Sequence, residues 1–186
     1  MKTVLKTLVG LLAVLVLTFF LGPTVEAPVI SKPLPEIEIP LEELSKWVAE
    51  KEATFTTLKE DNQSKLIFAD SIPQKTEYAI VYLHGFSGSA EDGAPVHEQI
   101  AEALGANLYL PRLLAHGLEG EENLLEYTGE GSLDSAREAL AVGKILGEKV
   151  ILMGTSTGCT LALSLAAEHP ELAALIMYAP NIRINH

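Results

Sequence analysis

A chain of 186 residues that is 48% hydrophobic is long enough for one domain with a sizeable core and too apolar for disorder. Its formal charge is −12, with the acids spread along the chain and no cluster of Lys or Arg, which excludes the basic face a nucleic-acid partner needs. A single cysteine, Cys159, excludes an internal disulfide and a Cys-rich metal site.

Lys2 and Lys6 precede an apolar run from Leu8 to Leu21, and Pro23 stops any helix. Two positive charges before such a run make an export signal. Residues 1–22 are therefore expected to be a signal anchor with the N-terminus held in the cytoplasm, or a signal peptide. Val25 and Ala27 offer a small-residue cleavage pattern, although Pro28 disfavours it. The anchor reading places the protein extracytoplasmic and membrane-anchored. The cleaved reading makes it secreted. Pro23, Pro28, Pro33, Pro35 and Pro40 then exclude a helix or central strand over 23–40. This linker is an extended spacer that holds the domain off the membrane or drapes along its edge.

Residues 41–186 read as one domain. Leu41, Leu44, Trp47 and Val48 recur at helical spacing between acids and Lys51. Leu66 to Ala69 is a brief strand, and Tyr78 to Leu83 is an apolar strand running into His84-Gly85. Val96, Ile100 and Leu104 mark a helix closed by Gly105, and Asn107 to Leu110 is a strand stopped by Pro111. After a loop rich in Gly and Glu, Ser132 or Asp134 is expected to cap a helix through Leu146. Val150 to Met153, a helix from Thr157 to His169, and Ala173 to Tyr178 complete the pattern. Strands apolar on both faces that alternate with helices specify an α/β fold, with a mostly parallel sheet covered on both sides.

Gly154-Thr155-Ser156-Thr157-Gly158 fits G-x-S-x-G between a strand and a helix, the setting of a nucleophile elbow. The serine occupies a strained apex, and Gly154 and Gly158 stay small because strand and helix backbones approach there. Ser156 is the candidate nucleophile. It needs a general base and donors for a developing oxyanion. The N–H of Thr157 is one donor, and the N–H of Phe86 in His84-Gly85-Phe86-Ser87-Gly88 is the other. Gly85 permits the turn, and His84 supports the loop rather than acting as the base. His97, His116 and His169 are expected to be surface or structural residues.

Val81-Tyr82-Leu83-His84-Gly85-Phe86-Ser87-Gly88-Ser89, taken with Leu152-Met153-Gly154-Thr155-Ser156-Thr157-Gly158, resembles the α/β-hydrolase superfamily. The closest branches are the carboxylesterases, lipases and serine-lysophospholipase-like proteins, and the resemblance runs from about Thr76 to Asn181. Arg112 to Gly117 resembles the family loop that carries Gly-His-Gly, with Ala115 in place of its first glycine. The resemblance implies an eight-stranded sheet with the elbow after its fifth strand, and hydrolysis of a small-molecule ester or lipid-like substrate through an acyl-enzyme with no cofactor; the sequence shows no metal-ligand spacing. The family's acid and base follow the nucleophile in the order Asp or Glu, then His. Here Asn181 stands where some members have the acid. Glu168 and Glu171 fall at the wrong end of the helix, and His186 is the last residue. The expectation is a partial α/β-hydrolase fold lacking the last strands, with Ala173–Tyr178 as an exposed edge and no base for Ser156. The alternative is a catalytically inactive remnant that binds a ligand or partner chain. A nucleotide-binding domain is excluded by the absence of a phosphate-loop or dinucleotide motif at a strand end.

Overall fold

A computed structural model describes residues 2–120 and 123–182. The first helix, α1 (Lys2–Leu21), buries none of its residues. Its 20 residues make a rod about 30 Å long, long and apolar enough to cross a membrane. A short 3-10 turn (Leu41–Glu43) leads into α2 (Leu44–Glu52). The remaining elements are β1 (Lys65–Ile67), β2 (Thr76–Leu83), α3 (Val96–Leu104), β3 (Asn107–Leu110), α4 (Gly129–Leu146), β4 (Gly147–Thr155), α5 (Thr157–Glu168) and β5 (Ala174–Tyr178).

The five strands form one sheet in the order β1-β3-β2-β4-β5. β2 pairs parallel to both β3 and β4, β4 pairs parallel to β5, and β1 runs antiparallel to β3. The period-2 alternation of side chains splits the apolar strands between two cores. Ala79, Val81, Leu83, Val150 and Leu152 face a layer built from α2, α4 and α5, including Leu44, Val48, Leu140 and Leu165. Ile80, Tyr82, Ile151 and Met153 face the opposite side with Ala101 of α3. The near-continuous apolar runs of β2 and β4 are thus explained by burial on both faces.

Two expectations are corrected. The N-cap of α4 is Thr128, not Ser132 or Asp134. Its backbone is extended and its hydroxyl accepts from Gly131 N–H at 3.1 Å. Ser132 and Asp134 are consumed elsewhere: Ser132 Oγ donates to the Thr128 carbonyl at 2.8 Å, and Asp134 takes Lys32 and Arg137. The first strand stops at Ile67 rather than Ala69, because the Ala69 N–H donates to the Asn107 side chain at 3.0 Å instead of to the ladder. His97 and His116, expected to be surface or structural residues, are buried. His97 Nε2 donates to the Ala90 carbonyl at 2.8 Å, while its Nδ1 has no partner among the described residues.

The proline-rich segment drapes along the domain. Arg137, buried in α4, donates to the carbonyls of Val29 and Ile30 and to Asp134, while the Val29 N–H donates to Glu130 at 2.6 Å. Lys32 bridges Glu130 and Asp134 and holds the Asp134 carboxyl below its usual range. Leu34, Ile37 and Ile39 pack against the core under α2 and α4. Proline supplies the extended backbone, and the buried guanidinium fixes where it lies.

Candidate active site

Parallel strands followed by helices place the loops after β2, β3 and β4 at one edge of the sheet. The candidate residues converge there. Ser156 links β4 to α5 with φ 50° and ψ −111°, a conformation that strains any residue with a side chain. Its N–H donates to the Tyr178 carbonyl at 3.0 Å, so β5 braces the turn. A Cβ on Gly154 would lie 2.7 Å from the Gly158 carbonyl carbon, and one on Gly158 would run into the Leu83 carbonyl. Glycine is therefore required at both positions. Beneath the serine, the buried Cys159 thiol donates to the Gly154 carbonyl at 3.0 Å, and burial pushes its pKa up.

The loop after β2 faces this turn. A Cβ built on Gly85 would be 3.6 Å from the Ser156 Cβ. No hydrogen bond among the described residues uses the Phe86 N–H. Thr157 opens α5, where N–H groups lack an acceptor within the helix and favour negative charge. Phe86, Thr157, Ser156, His84, Gly85, Gly154 and Gly158 thus share one edge.

Two neutral histidines hold the loop. The Leu113 N–H donates to His84 Nε2 at 3.1 Å, so the ring proton is on Nδ1, which donates to the Gly85 carbonyl at 2.9 Å. The Ser87 N–H donates to His116 Nε2 at 3.0 Å, and His116 Nδ1–H donates to the Leu114 carbonyl at 2.7 Å. The two rings meet edge to face at 4.8 Å. Burial lowers both, His84 to about 4. Each lone pair is occupied by a backbone N–H, so neither imidazole is free to accept the serine proton. His169 pairs with Glu171 at the other end of α5, where Glu168 also lies. His186 lies outside the described residues. Among the described residues, no side chain is hydrogen-bonded to the Ser156 hydroxyl.

The supporting residues were only partly visible in the sequence. Asp92 accepts from the Gly85 N–H at 3.2 Å, and the Tyr82 hydroxyl meets Thr155 Oγ1 at 2.9 Å, with burial raising the phenol to about 12. Ser89-Ala90-Glu91-Asp92 is a capped turn in the sequence, but its reach back to Gly85 is a tertiary contact. Ala115, standing where the family loop has glycine, takes φ 63°. A cavity of about 150 Å³ beside the elbow is lined by Asp92, Val96, Thr155 and Tyr178. A larger one, about 450 Å³, is lined by α2, β1 and the segment between them rather than by the elbow.

No family model matches the chain. Over 97 residues it is 31% identical to a thermostable monoacylglycerol lipase of Bacillus sp. (strain H-257), a match covering 52% of this chain and 38% of the lipase. A solved metagenome-derived lipolytic enzyme superposes with a TM-score of 0.57 at 20% identity, over 69% of this chain and 50% of that one. The chain has the α/β-hydrolase fold. A protein of Mycobacterium tuberculosis shares it at TM-score 0.51 and 16% identity, over 66% of this chain and 41% of that one. The chain thus spans half or less of the length of these relatives.

Proposed function

We propose that this chain carries the nucleophile and oxyanion hole of a serine hydrolase acting on carboxylic esters. The observation that carries the reading is the strained Ser156 backbone, enforced by two glycines that tolerate no Cβ and turned toward the Gly85-Phe86 loop. Such strain persists only where surrounding structure over-determines it. The identity to a monoacylglycerol lipase supports an ester of a fatty acid as the substrate class.

In this reading Ser156 Oγ attacks the ester carbonyl and forms a tetrahedral adduct. The N–H groups of Phe86 and Thr157 donate to its negative oxygen, each such donor contributing about 3 kcal/mol. The alcohol leaves, and water hydrolyses the acyl-enzyme. The serine proton passes to a general base that the described residues do not supply, and that base returns it to the leaving alcohol. His84 orders the oxyanion loop. We place Lys2–Leu21 as an anchor or an export signal, with the domain on the extracytoplasmic side.

The test is turnover of a short-chain p-nitrophenyl ester by the complete chain and by Ser156→Ala. Loss of at least about 1,000-fold in kcat/KM with Ser156→Ala is the expected result. Turnover that survives the substitution overturns the assignment. A second reading, binding of an acyl ligand or partner chain without turnover, is favoured by the occupied lone pairs of His84 and His116. Saturable ligand binding with no turnover in either protein selects it.

A further inference from the structure

The docked proline-rich segment fixes more than a tether length. Pro28 packs on Gly129, the first residue of α4, and Val29 and Ile30 are held by Glu130 and the buried Arg137 just below it. In a β-α-β unit the helix begins at the carboxyl edge of the sheet, so the segment enters the domain at the edge that holds Ser156. Two residues on from Val29, Ser31 Oγ donates to Glu168 near the end of α5 at 2.9 Å, and Lys32 returns to Glu130 and Asp134 in the first turns of α4. Only residues 22–27 separate α1 from this dock. Seven Cα steps from Leu21 to Pro28, at about 3.1–3.6 Å each, span at most about 25 Å.

Each edge of the sheet exposes a large apolar loop residue, Ile72 before β2 at the amino edge (75%) and Leu125 at the carboxyl edge, but their other side chains differ. The amino edge carries the ion pairs Lys75–Glu148 (3.6 Å), Lys149–Glu77 (3.1 Å) and Lys144–Glu171 (2.7 Å). The carboxyl edge exposes Phe86, whose ring sits 5.1 Å from Tyr127, and Leu125, which is 77% exposed.

We infer that the docked strap between Pro28 and Lys32 orients the domain with its carboxyl edge toward a lipid bilayer holding α1, so that the Ser156 crevice opens onto the membrane surface and Phe86 and Leu125 face its headgroups. This rests on the proposed function, and it names the source of the ester as an amphiphile resident in the bilayer. The opposite edge, one strand length away, lies roughly 25 Å further from the lipid. A strap held at one place by a buried cation gives the domain little freedom to invert.

The experiment reads orientation without catalysis. The complete chain is reconstituted in phosphatidylcholine vesicles, a neutral lipid that does not repel its net charge of −12. A donor fluorophore is placed on Leu125→Cys or Lys149→Cys, with Glu126→Cys as a second carboxyl-edge site should the first fold poorly. Buried Cys159 stays unmodified in the native protein. Energy transfer to a headgroup acceptor is expected to be at least twofold higher from positions 125 and 126 than from 149. Inserting a long Gly-Ser segment between Thr24 and Val25 is expected to bring the ratio toward one. Equal or reversed transfer overturns the orientation. A ratio that survives the insertion overturns the strap as its cause, and transfer no higher than in a chain lacking α1 overturns the bilayer as partner. Fluorophosphonate labelling of Ser156 in detergent is scored separately, so failure of the hydrolase reading is distinguishable from failure of the orientation.

Discussion

Acidification tests whether the His84 clamp is built as described. In the unfolded chain the imidazole takes a proton near 6.5, whereas burial holds the folded ring at about 4. Between those values the unfolded state binds more protons, so folding stability falls as pH falls. The contribution is complete above about 6.5 and lost as pH drops through about 4. A shift from 6.5 to about 4, at about 1.4 kcal/mol for each pH unit, amounts to about 3 kcal/mol. His84→Gln isolates this contribution. Its amide oxygen still accepts from the Leu113 N–H, and it cannot be protonated in this range. Urea unfolding of both proteins, followed by far-UV circular dichroism, yields the difference in stability at each pH. His116 and the carboxylates remain in both and cancel. The difference is expected to move by about 3 kcal/mol toward the variant between neutral pH and about 4. A constant difference across that range refutes the neutral clamp.

Other perturbations probe the elbow and its supports. Ser156→Gly relieves the positive φ and is expected to raise stability by about 1 kcal/mol in thermal unfolding while abolishing any serine reactivity. Gly158→Ala drives a Cβ into the Leu83 carbonyl and is expected to lower stability by about 3 kcal/mol in the same assay. Glu52→Ala leaves Arg112 buried without its 2.8 Å partner, and a loss of about 3 kcal/mol is expected from urea unfolding. Arg137→Ala frees the carbonyls of Val29 and Ile30, and limited proteolysis is expected to cut within residues 23–40 far faster than in the parent.

The sheet was legible because its strands are unusually plain. Ala-Ile-Val-Tyr-Leu in β2 and Val-Ile-Leu-Met in β4 are apolar at every position, which only burial on both faces explains. The elbow was legible because its glycines answer a local steric demand that the sequence states directly. Other features depend on partners far along the chain. The start of α4 was misplaced because Gly129 and Gly131 discourage a helix. The Thr128 cap and the packing of Pro28 on Gly129 override that local preference. The docking of 23–40 was left open because it turns on Arg137 meeting Val29 across 108 positions. His116 read as bland because a neutral imidazole accepting from a backbone N–H has no sequence signature.

The strain at Ser156 and the pairing of β5 belong to one structural argument. A residue at φ 50° and ψ −111° relaxes unless its neighbours forbid it. Four contacts do so here. The Ser156 N–H is held by the Tyr178 carbonyl, and its own carbonyl accepts from the Cys159 N–H at 3.0 Å. Cys159 Sγ, in turn, donates to both Gly154 and Tyr178 carbonyls. Two of these four run to Tyr178 at the end of β5, so the last described strand is part of the elbow and not merely its neighbour. Its register, Gly154 opposite Met177 and Thr155 opposite Tyr178, sets how far the serine is lifted above the sheet. Loss of pairing along β5 would therefore reach Ser156 before it reached the core, because the core side chains of β4 are held independently by β2. A serine poised in this way needs a complete carboxyl edge on the β5 side as much as it needs the oxyanion loop on the β2 side.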